Sequence, residues 1–164
     1  MKNITGKQRN LIFYSFLSVA LVLVLILAVV GSTQNGEWTK EDAMHKHAFK
    51  NLRRGNFDEA IPLYKHLLEQ KRNQNSPNLY WEYGGCLAGK KEYPEALKNY
   101  ELAKEKNIFL VKDSNFMYQW SHLLAENGQD DKAYRYLTLA RQEASDEKIA
   151  AQMDTLLQKI ENKK

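Results

Sequence analysis

The sequence has few of the residues that build disulfide-rich, metal-binding or β-rich proteins. Cysteine occurs once, at Cys86, so an internal disulfide and a metal site built from several cysteines are both excluded. There are only 3 prolines, and no alternation of apolar and polar residues predicts a β-strand. The GxGxxG, P-loop and GxSxG motifs are absent. We therefore expect an all-α protein that is not an enzyme and binds no cofactor.

Acidic residues are also missing before Glu37, where Lys2, Lys7 and Arg9 are the only charged side chains. The whole chain has a formal net charge of +4, and removing these three cations leaves +1 for the chain from Gly31 onward. A nearly neutral remainder lacks the dense positive charge that binds phosphate backbones. We therefore expect no nucleic-acid partner.

Residues 11–30 form an uncharged apolar run of 20 residues. As an α-helix it would be about 30 Å long, which matches the hydrocarbon core of a bilayer. We predict a transmembrane helix, retained as a signal anchor. A cleaved signal peptide is the alternative, because Val30, Gly31 and Ser32 are small enough for a signal peptidase, and the mature chain would then begin near Ser32 or Thr33. No cysteine follows the run closely, which excludes a lipoprotein anchor.

The basic residues near this run predict its orientation. Three precede it within residues 1–10, whereas Lys40 is the only one in the first dozen residues after it. The positive-inside rule therefore places residues 1–10 in the cytoplasm and the rest of the chain across the cell membrane, as a single-pass protein. We interpret residues 31–40 as a linker to an exported domain at 41–164, in what we expect to be a bacterial cell envelope.

Three segments of that domain share one pattern: a small residue in a first helix, a turn that contains glycine, and an aromatic or acidic residue before Glu-Ala or Lys-Ala. They read AFKNLRRGNFDEAIPLYKHL, GGCLAGKKEYPEALKNYELA and SHLLAENGQDDKAYRYLTLA. Their alanines Ala60, Ala96 and Ala133 are separated by 36 and 37 residues. A helical pattern that recurs at this period predicts an array of helix–turn–helix units.

The period and the pattern resemble the tetratricopeptide repeat (TPR), a helix–turn–helix unit of about 34 residues. The resemblance implies an α-solenoid with units at about 41–74, 77–110 and 114–147. Each unit needs small residues where its helices cross and a large residue beside them. The family's small positions fall on Ala48, Gly84, Ser121, Ala60, Ala96 and Ala133, and its packing positions on Tyr64, Tyr100, Leu137, Leu67, Ala103 and Ala140.

The match has departures, and one more helix follows it. Met44, Tyr80 and Met117 replace the tryptophan that the family favours, and the proline that usually ends each unit is missing. Residues 146–161 are predicted to form a capping helix, because Ser145-Asp146-Glu147 is typical of an N-cap followed by an acidic first turn. Its apolar stripe consists of Ile149, Met153, Leu156, Leu157 and Ile160, and its expected outward side of Gln152, Lys159 and Glu161.

In the TPR family, partner segments lie in a concave groove lined by the first helix of each unit. The resemblance therefore implies that this chain binds a protein or peptide along its first helices. Aromatic residues in each unit are typical of protein interfaces, and asparagine amides can hold a peptide backbone. The alternative is that neighbouring segments bury some of these rings. The candidate partner-binding residues are His45, Phe49, Arg53, Asn78, Trp81, Asn115, Tyr118 and His122.

One TPR subfamily binds the C-terminus of chaperones with a clamp of Lys, Asn, Asn, Lys and Arg. We expect no such binding here, because Glu82 would repel a carboxylate and the pattern is not matched. The residues at the clamp positions are His45, Phe49, Glu82, Asn115 and Gln119.

Two features of the domain suggest a metal site or a nucleophile, but their positions argue against both. His45 and His47 are two residues apart, so their side chains point in different directions on a helix and cannot share a metal. Cys86 follows Gly84 and Gly85 inside a predicted helix, where a small buried residue fits better than a nucleophile.

These observations predict a membrane-anchored scaffold or adaptor that binds a partner protein, in envelope assembly, secretion or maturation. Two alternatives stay open. The chain could be a structural subunit of a membrane complex that acts through its transmembrane helix, or a cleaved and secreted binding module. The resemblance also leaves a homo-oligomer open, because TPR domains often self-associate.

Overall fold

The computed structural model describes residues 6–163, and within that range it contains seven α-helices and no β-strand. Two short 3₁₀ helices, Lys71–Asn73 and Ile108–Lys112, join consecutive units. The prediction of an all-α protein is confirmed. The predicted cytoplasmic tail begins in residues 1–5, which lie outside the described residues. The α-helices are α1 Gly6–Arg54, α2 Phe57–Glu69, α3 Pro77–Gly89, α4 Tyr93–Lys106, α5 Ser114–Glu126, α6 Asp130–Glu143 and α7 Glu147–Glu161.

The chain divides into two units, one ending at Ala43 and the other beginning at Met44. In the first unit every described residue belongs to α1, and the residues interpreted as a linker, 31–40, are helical. The large apolar side chains of residues 11–30 are between 45% and 73% exposed. By length and composition, this helix could cross a membrane.

The two serines of the apolar run bond within the helix. The hydroxyl of Ser15 donates to the carbonyl of Ile12 at 2.8 Å, and the hydroxyl of Ser18 donates to the carbonyl of Ser15 at 2.9 Å. Because each hydroxyl has a partner on its own helix, neither would stand unpaired in a hydrocarbon environment.

The second unit contains the last turns of α1 and helices α2–α7. Helix α3 packs on α4 and α5 packs on α6, α2 packs on α3, and α7 packs on both α5 and α6. This is the helix–turn–helix packing that the repeat pattern predicts. The positions expected to be small or tightly packed are all buried, namely Ala48, Ala60, Tyr64, Leu67, Gly84, Ala96, Tyr100, Ala103, Ser121, Ala133, Leu137 and Ala140.

The crossing of α3 and α4 shows why one position of the repeat must be small. A Cβ added at Gly84 would lie 2.8 Å from Cδ2 of Tyr100 and 3.2 Å from the carbonyl oxygen of Ala96. Tyr100 is 1% exposed and occupies the space that a side chain at Gly84 would need. The small and the large residue therefore determine how closely the two helices approach.

The three turns within the repeats share one backbone conformation. A residue one or two positions after the first helix has a positive φ in each unit, +78° at Gly55, +63° at Lys91 and +74° at Gly128. The following amide donates back to the first helix in each case, for example from Gln129 to Leu124 at 2.8 Å. The left-handed conformation favours glycine, so Lys91 holds a conformation that its side chain disfavours.

Helix α7 covers the end of the repeat array. Asp146 caps it, since its carboxylate accepts the amides of Lys148 and Ile149 at 2.9 and 3.1 Å. The predicted apolar stripe faces inward, with Met153 and Ile160 fully buried. A solenoid needs such a helix because its last unit would otherwise expose an apolar face.

Candidate functional site

The candidate partner-binding residues of α3 and α5 recur at helical spacing. Asn78 and Trp81 are three residues apart on α3, as are Asn115 and Tyr118 on α5, and His122 follows one turn later. Residues three and four apart lie on the same side of a helix. We call this surface the first-helix face, formed by His45, Phe49, Arg53, Asn78, Trp81, Asn115, Tyr118 and His122.

The exposure of these side chains differs in a way that matters for binding. Asn78 and Asn115, which occupy equivalent positions in two units, are both exposed. Phe49 is 40% exposed, and the guanidinium carbon of Arg53 lies 6.0 Å from its ring centroid. His45, Trp81, Tyr118 and His122 are half-buried. The two asparagines and the Phe49–Arg53 pair are therefore the most accessible groups of the face.

Trp81 connects α3 to α5 through Gln119. The indole Nε1–H of Trp81 donates to Oε1 of Gln119 at 2.8 Å, and the hydroxyl of Tyr100 donates to the same oxygen at 2.7 Å. An indole nitrogen can only donate, so the amide oxygen of Gln119 must face it. The NH₂ group of Gln119, on an exposed side chain, is consequently turned away from both donors.

The ring of Trp81 also packs against the interior. It meets Phe116 edge to face with centroids 5.3 Å apart, and Tyr100 stacks on Phe116 with centroids 5.3 Å apart. Phe116 is fully buried. The neighbouring helix therefore buries part of the Trp81 ring, and the rest of the ring is accessible. This agrees in part with the alternative that neighbouring segments bury some of these rings.

His45 and Glu82 connect the first two units. Nε2 of His45 lies 2.6 Å from Oε2 of Glu82, with 37% and 17% of the two side chains exposed. Burial raises the pKa of Tyr64, and the negative charge of Glu82 raises it further. The carboxylate of Glu82 therefore contributes a negative charge to the contact between the first two units.

Helix α7 contributes to the far end of the first-helix face. A cleft of about 200 Å³ lies between α5 and α7, with Tyr118 and His122 on one wall and Gln152 and Lys159 on the other. Gln152 and Lys159 are both exposed, as predicted for the polar outward side of the capping helix, and they also line this cleft. Their position depends on the angle at which α7 packs on α5, which helical periodicity alone does not predict.

Charged groups surround His122 in this cleft. Lys159 donates to Glu126 at 2.9 Å, and Nε2 of His122 lies 3.9 Å from the same carboxylate. The hydrogen bond from Lys159 holds the pKa of Glu126 below its ordinary value. Burial lowers the pKa of His122, although Glu126 opposes that shift. His122 is therefore held mainly as a neutral ring that can both donate and accept a hydrogen bond.

Cys86 lies on α3 and the histidine pair on α1. Cys86 is fully buried, and its pKa is raised to about 12, chiefly by burial and then by the charge of Glu82. Such a thiol is protonated at neutral pH, unlike an activated nucleophile.

Among residues 6–163 no three His, Cys, Asp or Glu side chains are grouped closely enough to hold a metal ion.

No protein-family model matches the chain, and no curated protein sequence matches it. Solved structures do match its fold. The translocator chaperone SycD of Yersinia enterocolitica type III secretion has a TM-score of 0.64 at 17% identity, over 74% of this chain and 83% of that chain. The TPR2B domain of yeast Sti1, in a complex with pHsp70, has a TM-score of 0.65 at 18% identity, over 77% and 99%. PcrH in complex with the chaperone-binding region of PopD has a TM-score of 0.62 at 17% identity, over 74% and 91%. The chain therefore has a TPR-like fold.

Proposed function

We propose that this protein is a membrane-anchored scaffold or adaptor whose first-helix face binds an extended segment of a partner protein. The observation that supports this most directly is the pair Asn78 and Asn115, both exposed and 37 residues apart. A primary amide donates and accepts at once, so two such groups at one repeat spacing can bond to the backbone of an extended peptide. The bond between Trp81 and Gln119 links the two helices that carry these asparagines.

The comparisons support the same kind of partner by analogy. SycD has been crystallised with a peptide of the translocator YopD, and PcrH with the chaperone-binding region of PopD. Both share only the fold with this chain, and a fold hosts many functions. The proposal for this chain therefore depends on the residues of its own first-helix face.

We place the chain in a cell membrane through residues 11–30, with the N-terminus in the cytoplasm and the TPR-like unit outside it. The exposed apolar surface of α1 and the cations Lys7 and Arg9 before the apolar run support this topology. Envelope assembly, secretion or maturation would be the setting. A C-terminal reporter that is active only outside the cytoplasm tests the topology, and an inactive reporter would reverse it.

Photocrosslinking in native membranes tests the binding face. A benzophenone amino acid replaces Asn78 or Asn115 in the full-length chain, and it replaces Lys98, which is exposed on α4, as a matched control. We expect a discrete crosslinked partner at the two asparagine positions and none at Lys98. Equal crosslinking at all three positions, or crosslinking only at Lys98, would contradict the proposed face.

Replacing the asparagines is a cleaner test than replacing the aromatic rings. The double variant Asn78→Ala, Asn115→Ala removes two exposed amides, so the fold should be unchanged. With the benzophenone amino acid placed at another position of the face, such as Arg53, crosslinking to the partner should be lost. Trp81→Ala would also uncover Phe116 and remove a hydrogen bond from Gln119. A loss of binding in that variant could therefore reflect a loss of structure.

A separate exchange tests whether the transmembrane helix itself makes the functional contact. In one variant residues 11–30 are replaced by an unrelated apolar segment of the same length. Crosslinking at Asn78 should persist if the helix serves only as an anchor. Its loss in a chain that is still inserted would favour a structural subunit of a membrane complex. A mature protein that starts near Ser32 or Thr33 would instead identify a cleaved, secreted module.

A further inference from the structure

Four large apolar side chains outside the first-helix face are exposed. Ile108, Val111 and Leu139 line one depression, and Phe109 follows Ile108 in the same short segment. Ile108 is 61% exposed, Phe109 71% and Val111 38%, and Leu139 of α6 is 62% exposed. The first three belong to the 3₁₀ helix Ile108–Lys112, which joins the second and third units. We call these four residues the apolar tip. Single exposed apolar residues are ordinary on protein surfaces, but a contiguous set marks an interaction site.

The exposure of the apolar tip is imposed by the local backbone. Oδ1 of Asn107 accepts the amide of Phe109 at 3.1 Å, and the amide of Asp113 donates to the carbonyl of Leu110 at 3.0 Å. Leu110 itself is 7% exposed and anchors the segment in the core. A 3₁₀ helix has three residues per turn, so with Leu110 turned inward the side chains of Phe109 and Val111 lie to either side of it and are exposed.

Beside the apolar tip lies a depression of about 510 Å³ with a cationic rim. Its floor includes Met117, Trp120 and Tyr136, and Lys104 and Lys112 stand at its edge together with one acid, Glu143. Nζ of Lys104 lies 5.1 Å from the ring centroid of Trp120. The surface therefore combines the exposed ring of Phe109 and three exposed aliphatic side chains with flanking lysines, a composition typical of segments that lie at the interface of a bilayer.

We propose that the apolar tip enters the headgroup region of the bilayer that anchors the chain, and that Lys104 and Lys112 meet anionic lipid headgroups. A lipid surface is favoured over another protein because the chain contains a helix that can cross a membrane. An anchored domain stays within reach of the bilayer, which raises the effective concentration of lipid at the tip. The proposal rests on the membrane anchoring proposed above and is independent of peptide binding by the first-helix face.

Fluorescence quenching in vesicles tests the proposal. The full-length chain with Phe109→Cys, labelled with an environment-sensitive fluorophore, is reconstituted into vesicles of phosphatidylcholine with increasing phosphatidylglycerol. His66→Cys is the matched control, since this α2 side chain is 55% exposed and outside the tip. Cys86 is buried and protonated at neutral pH, so it should not compete for the label, and the unsubstituted chain checks this.

We expect the label at position 109 to be quenched by nitroxide lipids and shielded from aqueous iodide, with the reverse at position 66. Docking should strengthen with the phosphatidylglycerol content. Each of Lys104→Ala and Lys112→Ala should weaken it roughly fivefold, because a lysine near an anionic surface contributes about 1 kcal/mol. Phe109 is mostly exposed, so the labelled variants should keep the circular dichroism of the unsubstituted chain.

Three outcomes would overturn the proposal. Equal access of iodide to positions 109 and 66 would show that the tip faces water. Shielding that depends on the protein-to-lipid ratio and not on lipid composition would identify a second copy of the chain as the occupant. Shielding in native membranes but not in vesicles would identify a partner protein. Extraction of the chain by alkaline carbonate would contradict the membrane anchoring itself. A chain that stays anchored while its tip is accessible to iodide would contradict only the docking of the tip.

Discussion

Trp81 and Gln119, 38 residues apart in consecutive repeat units, are joined by a hydrogen bond of 2.8 Å from the indole Nε1 to the amide Oε1. The same oxygen accepts the buried hydroxyl of Tyr100 at 2.7 Å. One exposed glutamine thus connects two first helices and a second helix. Units of a solenoid contact only their neighbours, so such a bond sets how adjacent units of the binding face are spaced.

Replacing Gln119 should therefore destabilise the repeat array. Gln119→Ala leaves the hydroxyl of Tyr100 without its acceptor inside the protein, which costs about 1–3 kcal/mol of the free energy of unfolding. Urea denaturation measures this cost. Gln119→Glu retains an acceptor oxygen and should lose less, and Gln158→Ala, on the exposed side of α7, should be nearly neutral. Equal stability of Gln119→Ala and Gln158→Ala would contradict the role assigned to this bond.

Two neighbouring glycines of α3 provide a test of the helix crossing. At Gly84 a methyl group would collide with the ring of Tyr100 at 2.8 Å, whereas at Gly85 the nearest atom, Cδ1 of Leu52, is 3.7 Å away. Gly84→Ala should lower the free energy of unfolding by about 1–3 kcal/mol, as overpacking does. Gly85→Ala should raise it by up to about 1 kcal/mol because alanine favours a helix. Thermal and urea unfolding would reveal the opposite signs.

Lys91 is the non-glycine member of the three turns with positive φ. Lys91→Gly should stabilise the chain by up to about 1 kcal/mol, because glycine adopts the left-handed conformation without strain. Gly128→Ala, at the equivalent turn with no atom within 4 Å of the added Cβ, should destabilise it by about 1–2 kcal/mol. Comparing Lys91→Gly with Gly128→Ala separates the effect of backbone strain on stability from the effect of packing. A destabilised Lys91→Gly variant would mean that the side chain of Lys91 makes a contribution larger than the strain.

His122 should make the stability of the fold dependent on pH below neutrality. Burial lowers its pKa beneath the ordinary 6.5, so the unfolded chain binds a proton more tightly than the folded chain. Stability is then fully present above about pH 6.5 and declines as the pH falls through the lowered pKa. The melting temperature of His122→Gln should fall less between pH 7.5 and pH 5.5 than that of the unsubstituted chain.

His66→Gln is the control for this measurement, because His66 is exposed on α2. Glu126, whose pKa is lowered by the hydrogen bond from Lys159, contributes to the loss of stability only in more acidic solution, below its ordinary value of 4.5. Identical pH profiles for the unsubstituted chain and His122→Gln would remove His122 as a source of the effect.

The sequence predicted the buried positions of the repeats well and the accessible positions of the binding face less completely. Ala48, Gly84 and Ser121 could be recognised because close helix crossing admits only small side chains there. The state of Trp81 could not, since it depends on Phe116 and Gln119, which belong to another helix. The apolar tip was not recognised either, because the burial of Leu110 and the exposure of Phe109 follow from how the joining segment packs.

By itself, the sequence determined the helical elements, the order of the repeat units and the presence of an apolar run long enough to cross a bilayer. These properties depend on local periodicity and on the size of side chains at fixed spacings, which a linear pattern records. The tertiary structure alone decided that Lys159 and Gln152 join the first-helix face and that Gln119 bridges two units. Those contacts join residues between 30 and 40 positions apart, and only the packing angle of one helix on another determines which of them meet.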